Sequence, residues 1–338
     1  MTASSLQQPR KPLLTIAIPT YNRSRFLREL LQSLLEGLRG ESRIELIISD
    51  NFSSDDTPSV VAEFSAKRMQ IRSIRNAANI GADANFVQCF EAAQGKYFWL
   101  IGDDDLVAPG AVPSILDRCQ SADWDMVYLS QFAIKEPVGA LDRKEIRNAV
   151  EICDASEYAR RIHVFFTFIS ANIINKERVT AANPRAADGL IGTNLAQLGW
   201  TFAALDGFRR GLFVHDTLIG ARDNIAGGYQ LFDVFGPKLK SIVEKRIRCR
   251  KVQRAILNGT LRRFLPFFAL RYKRLKIPFR EEMSLPARLT PAFKGHAQYW
   301  ICLYPIVVLP FVPAAGWYLP FRCFNWLSSR FMRWLESA

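Results

Sequence analysis

The sequence predicts an α/β fold built on a mainly parallel sheet with helices on both faces, followed by a basic, apolar C-terminal helical region that associates with membranes. Three observations carry this expectation. Between residues 13 and 130, short apolar runs alternate with segments of helical period, the pattern of a parallel sheet covered on both sides. The net charge of +13 falls entirely within residues 240–294, which hold sixteen Lys/Arg against Glu244, Glu281 and Glu282, while the remainder of the chain is neutral. Finally, residues 296–321 contain no Asp, Glu, Lys or Arg.

The first strand is the apolar run at 13–18, ended by Pro19. A helix follows in which Phe26, Leu27, Leu30, Leu31, Leu34, Leu35 and Leu38 recur at helical spacing. Residues 44–49 form the second strand, after which Asp56 as N-cap and Pro58 in the first turn open a helix through Val60, Val61 and Phe64. A third strand at 71–74, a helix at 84–93, a fourth strand at 96–101, a helix at 110–119 and a fifth strand at 125–130 complete the series. No internal repeat or low-complexity segment interrupts it. The composition shift divides the chain near residue 235 into a body, with residues 13–130 as its first half and 131–235 as its second, and a tail over 236–338.

With 49% hydrophobic residues the chain is folded and not disordered. Six scattered cysteines without a C-x-x-C pair suit reduced thiols rather than a disulfide or zinc framework. The N-terminal apolar run spans six residues, too short for a secretory signal, so the N-terminal region is expected in the cytoplasm.

In an open α/β sheet ligands bind beyond the carboxyl ends of the strands. Those positions hold Pro19-Thr20-Tyr21-Asn22-Arg23, Asp50-Asn51, Asn76 to Gly81, and Gly102-Asp103-Asp104-Asp105. Three adjacent aspartates repel one another, and a divalent cation is the first candidate to compensate them. Polar groups at four consecutive strand ends point to one ligand site.

The stretches TIAIPTYNRSRFLRELLQSL, ELIISDNFSSDDT, RNAANIGADANF and GKYFWLIGDDDLVAPGAV resemble, in order and spacing, the motifs of family-2 glycosyltransferases. FISANIINKERV, LIGTNLAQLGW and NIAGGYQLFDVFG are similar to bacterial O-antigen sugar transferases such as abequosyltransferases. The resemblance implies a GT-A, Rossmann-like fold, a nucleotide-sugar donor and Mg2+ or Mn2+. It assigns Asp103 and Asp105 as the D-x-D pair for metal and ribose, with Asp104 in the donor site and as the alternative direct ligand. Asp50 takes the base or ribose, Tyr21 packs on the base, the Pro19 to Arg23 backbone lines the pocket, and Asn79 and Gly81 let the chain pass close to the nucleotide. Arg23 stands where many members have glutamate and receives no role.

Inverting transfer to a hydroxyl needs a base. Asp188, in a loop after Asn-Pro, is best placed among Asp188, Asp206, Asp216 and Asp223, with His163 and His215 read as packed side chains. The tail mixes basic and bulky apolar residues as an interfacial membrane element does, and the uncharged stretch carries Trp300, Tyr304, Trp317 and Tyr318. Pro305, Pro310, Pro313 and Pro320 argue against one straight helix, and basic residues on both flanks favour a re-entrant or in-plane hairpin over a single span. The expected protein is therefore an inverting glycosyltransferase on the cytoplasmic face of the inner membrane, with a lipid-linked saccharide acceptor and no nucleic acid. Transfer to polyprenyl phosphate and a non-catalytic nucleotide-sugar-binding protein are the alternatives.

Overall fold

A computed structural model describes residues 11–67, 69–134, 138–222, 229–275 and 283–320. They form two compact units, one from residues 11–158 with 165–222, the other from Ala159–Val164 with the residues from 229 onward. The second unit recruits six residues from mid-chain that no compositional boundary marks.

The first unit begins as expected. Strands β1 (Leu14–Thr20), β2 (Ile44–Asp50), β3 (Ile71–Arg75) and β4 (Tyr97–Leu100) pair in parallel, in the order β3-β2-β1-β4. All seven residues of β1 are buried, which is why it reads as an unbroken apolar run. Helices α1 (Ser24–Leu38), α2 (Thr57–Ala66), α3 (Ala82–Ala92) and α4 (Ala111–Ser121) follow the strands. Leu27, Leu30, Leu31 and Leu34 of α1 are fully buried. Asp56 stands at the N-cap of α2 as expected but makes no side-chain cap bond; Asp55 instead accepts from Thr57 N at 3.0 Å, Thr57 Oγ1 at 2.6 Å and Ser24 N at 2.8 Å. One carboxylate thereby caps the first turns of both α1 and α2.

Beyond β4 the sheet is mixed, and the expectation of a mainly parallel sheet is corrected there. The further strands are β5 (Leu106–Val107), β6 (Met126–Ala133), β7 (Ala149–Ile152), β8 (Asn172–Asn175) and β9 (Gly211–Ala221). β8 runs antiparallel between β4 and β6, so β6 keeps the direction of β4. β6 and β9 pair in parallel, while β5 and β7 pair antiparallel with β9. Strand β8 is four residues long and buried throughout, too short to display a period. Helices α6 (Lys176–Ala182) and α7 (Leu198–Asp206) complete this part, while the residues of α5 (Ala155–Ile162) from Ala159 onward belong to the second unit. Trp200 of α7 stacks on Phe90 at 4.8 Å and meets Phe98 edge-on at 5.8 Å, fixing α7 over α3 and β4.

The second unit is helical: α8 (Leu231–Asp233), α9 (Leu239–Arg246), α10 (Arg250–Gly259), α11 (Leu265–Leu275), α12 (Leu285–Phe293) and α13 (Tyr304–Val308). Wide π-type turns at Val234–Lys238, Thr260–Phe264 and Tyr299–Leu303 lead into α9, α11 and α13, and the first of them contains Pro237. A wide turn suits proline, whose missing N–H interrupts the regular ladder. Ile256, Leu261, Leu265, Leu289, Phe293 and Leu303 are buried at its centre. Helix α13 stops at Val308, and residues 311–320 are helical again beyond Pro310, the break that the prolines predict. Among the described residues no helix is long and apolar enough to cross a membrane.

Candidate active site

Parallel register brings the strand ends into one row. Thr20 lies beside Asp50 and Asp50 beside Arg75, while Ile101 N bonds Ala17 O at 2.9 Å, so the Gly102 to Asp105 loop leaves the sheet at the same edge. Pro19 is buried within β1, and the turn after it is locked by Asn22. Asn22 has φ of 52°, its N donates to Ser53 Oγ at 2.9 Å, and its Oδ1 accepts from Ser54 N at 2.8 Å.

Asp50 is buried at this edge. Its Oδ1 accepts from Ser53 N at 2.8 Å. Its Oδ2 has no hydrogen-bond partner and lies 3.6 Å from Arg75 Nε. A buried carboxylate oxygen lacking a hydrogen bond is costly unless a ligand donor completes it. Around it Tyr21, Phe52 and Ile80 stand exposed on adjacent loops, an apolar rim suited to an aromatic base. Asn79 Oδ1 accepts from Asn51 Nδ2 at 2.8 Å and Gly81 N at 2.9 Å, and Asn51 Oδ1 accepts from Ile80 N at 3.0 Å. These bonds shape the third loop. Gly81 owes its place to a φ of 86° and ψ of 160°, a region glycine alone occupies without strain.

The acidic loop is the electrostatic centre. Asp103 and Asp105 are buried and Asp104 is half-buried. Arg23 Nη1 lies 3.0 Å from Asp103 Oδ1 and 3.1 Å from Asp104 Oδ2. Ser170 Oγ donates to Asp105 Oδ2 at 2.5 Å and accepts from Gly102 N at 2.9 Å. Arg222 Nη1 donates to the Asp104 carbonyl at 2.5 Å, and its guanidinium pairs with Glu29 and stacks 4.9 Å from the Phe26 ring. Burial pushes the Asp103 carboxyl up to about 6, against the lowering pull of Arg23, and pushes Asp105 up to about 7 against its bond from Ser170.

Among the described residues no three His, Cys, Asp or Glu side chains form a ready-made metal cage. The acidic loop nevertheless fits a divalent cation: its donors are hard oxygens, and two are desolvated carboxylates whose charge a dication offsets.

The base candidates scatter. Asp188 sits in the loop between α6 and α7, two-thirds exposed, with Arg185 Nε 3.8 Å away. That loop is tied to the start of α3, because Asp83 accepts from Asn194 N at 2.8 Å and Ala196 N at 3.3 Å. Asp216 accepts from Arg147 N at 2.8 Å and Asn148 N at 2.7 Å, and so holds a surface loop. Asp206 ends α7, and Asp223 lies outside the described residues. His215 on β9 sits 4.9 Å from Phe213. His163 is buried against Gly259, where a Cβ would lie 2.3 Å from the histidine Cβ, and burial, then Arg263, holds its imidazole down at about 3.

Sequence reasoning missed Ser170, Arg222, Phe52 and Asp83. Phe52, Asp83 and Ser170 lie within the quoted stretches, but the roles of Asp83, Ser170 and Arg222 come from bonds to residues far along the chain.

Residues 15–177 match the family model described as Glycosyl transferase family 2. This part of the chain is similar to the family-2 glycosyltransferases. The chain is 32% identical over 200 residues to the abequosyltransferase RfbV of Salmonella typhimurium, covering 54% of this chain and 58% of that one. It is 29% identical over 108 residues to a GalNAc(5)-diNAcBac-PP-undecaprenol beta-1,3-glucosyltransferase of Campylobacter jejuni, covering 32% of this chain and 34% of that one. The chain thus matches little more than half, or less, of these relatives' lengths. Among solved structures, S. aureus TarS 1-349 in complex with UDP-GlcNAc superposes with a TM-score of 0.61 at 13% identity, over 91% of this chain and 88% of that one. The mannosyltransferase PcManGT of Pyrobaculum calidifontis, in complex with GDP-Man and Mn2+, superposes with a TM-score of 0.50 at 14% identity, over 92% and 84%. The mixed α/β sheet is therefore that of the GT-A glycosyltransferases.

Proposed function

We propose that this chain is an inverting, metal-dependent glycosyltransferase that moves a sugar from a nucleotide-sugar donor to a lipid-linked saccharide acceptor in cell-surface polysaccharide synthesis. The observation that carries the reading is Asp50: a buried carboxylate with one oxygen lacking a hydrogen bond, in the same row of strand ends as three consecutive aspartates. Asp50 Oδ2 accepts a hydrogen bond from the ribose or base, Tyr21 packs on the base, and Asn79 and Gly81 shape the wall beside it. Asp103 and Asp105, with Asp104 beside them, would hold Mg2+ or Mn2+. A bound dication supplies Lewis-acid compensation for the charge that develops on the leaving nucleotide.

Asp188 acts as general base, taking the proton of the acceptor hydroxyl while its oxygen bonds to the anomeric carbon and the nucleoside diphosphate departs. Its exposed position on a loop tied to α3 suits a bulky acceptor. The undecaprenol-linked chemistry in the name of one relative and the O-antigen resemblance support a lipid-linked acceptor. Exposed Trp300, Ile301, Val312, Trp317 and Leu319 in the second unit, beside its basic residues, support peripheral attachment to an anionic membrane at the cytoplasmic face.

A screen of nucleotide sugars by thermal shift with Mn2+ tests the reading. At least one donor raises the melting temperature of the wild type, chelation removes the shift, and Asp50→Ala weakens it. A chain stabilised by no nucleotide sugar refutes the proposal.

A further inference from the structure

We propose that Arg23 is a built-in counter-ion of the acidic loop, occupying Asp103 and Asp104 in the donor-free protein and yielding them to a divalent cation only when a nucleotide diphosphate arrives. The inference rests on the reading of this edge as a metal-dependent nucleotide-sugar site. One guanidinium nitrogen bridges two carboxylates at 3.0 and 3.1 Å. A dication seeks the same oxygens and is repelled by the guanidinium, so the two compete for the loop.

Two features make Arg23 the group that moves. Its backbone is anchored, because Asn22 before it is bound to Ser53 and Ser54 and Ser24 after it is capped by Asp55. Its side chain, in contrast, is 42% exposed. Arg222 is fixed: its side chain is 6% exposed, paired with Glu29 and stacked on Phe26. A diphosphate offers Arg23 paired anionic oxygens, which a planar guanidinium engages in a bidentate manner. Arg23 thereby exchanges carboxylate partners for phosphate partners as donor and metal enter together, and metal without nucleotide binds weakly.

The test titrates Mn2+ alone into the full chain without nucleotide, followed by electron paramagnetic resonance of the free ion. Arg23→Gln removes the charge while keeping a polar amide and is expected to bind Mn2+ at least fivefold more tightly than the wild type. With Mn2+ present, the same variant binds UDP or GDP, whichever stabilises the wild type, severalfold more weakly by calorimetry. Arg23→Lys, whose ammonium lacks the planar fork, is expected to fall between the two and carries the test if Arg23→Gln melts early. Equal or weaker Mn2+ binding by the variants overturns the proposal, as does Mn2+ binding undetectable in all three proteins. Failure of the underlying reading looks different: the wild type then shows no Mn2+-dependent nucleotide binding, or Asp105→Ala leaves that binding intact.

Discussion

Asp105→Asn is expected to stabilise the metal-free protein at alkaline pH while removing its response to metal and nucleotide. The Asp105 carboxyl is pushed up to about 7 by burial, roughly a thousandfold tighter proton binding than in an unfolded chain. The folded state therefore holds a proton that the unfolded state has released, and stability falls as pH rises from about 4 to about 7. Below that window the penalty is absent; above it the penalty is complete, of order 4 kcal/mol before internal relaxation reduces it. Between pH 5.5 and pH 8 the wild type should lose about 2 kcal/mol through this one group. Asparagine keeps the shape and can still pair with Ser170, which donates to this side chain, yet it has no charge to desolvate. Urea unfolding of both proteins in EDTA at the two pH values gives the double difference. The reasoning is refuted if Asp105→Asn is less stable than the wild type at pH 8, or if both proteins share the same pH dependence.

Ser170→Ala should cost about 1–3 kcal/mol, because it leaves a buried carboxylate oxygen and the Gly102 N–H short of a partner, and should raise the dissociation constant for nucleotide in Mn2+, read by calorimetry. Gly81→Ala should lower stability by about 1–3 kcal/mol through its backbone conformation alone, checked by denaturant unfolding. Asp188→Asn should lower turnover about 10²–10⁴-fold with donor binding unchanged; full turnover in steady-state assays would instead point to an acceptor that is already anionic. High salt should fail to release the full chain from anionic vesicles in flotation, because salt screens the basic residues but not apolar insertion; a chain that stays free of lipid even at low salt contradicts the membrane reading.

Strands β1, β2 and β4 were legible because buried parallel strands are continuous apolar runs, and the loops because Pro19, Asp50, Gly81 and the aspartate triplet stand at local strand ends. Asp56 was rightly placed at the N-cap, but the sequence could not show that the bonds go to Asp55, since a capping pattern cannot choose between adjacent carboxylates until two helix starts are seen to share one. Strand β8 was illegible for lack of period, and Ser170 was lost with it: a serine in an apolar stretch gains meaning only when β8 closes the sheet beside β4. Arg23 received no role from the sequence and Arg222 was not singled out, and only folding reveals that both turn toward the acidic loop.

The antiparallel insertion of β8 also sets an order of events for the growing chain. Strands β1 to β4 are near neighbours in sequence and can assemble early, with modest loop-closure cost. The acidic loop they carry is still unfinished at that stage. Its hydroxyl support comes from a residue 65 positions beyond Asp105, and the arginine on its main chain lies 118 positions beyond Asp104. A ribosome-bound chain that has released only the parallel half therefore displays the motif without a working pocket. On the proposed reading, donor capture therefore reports synthesis as far as Arg222, and a fragment ending before β9 is expected to bear the motifs without binding a sugar nucleotide.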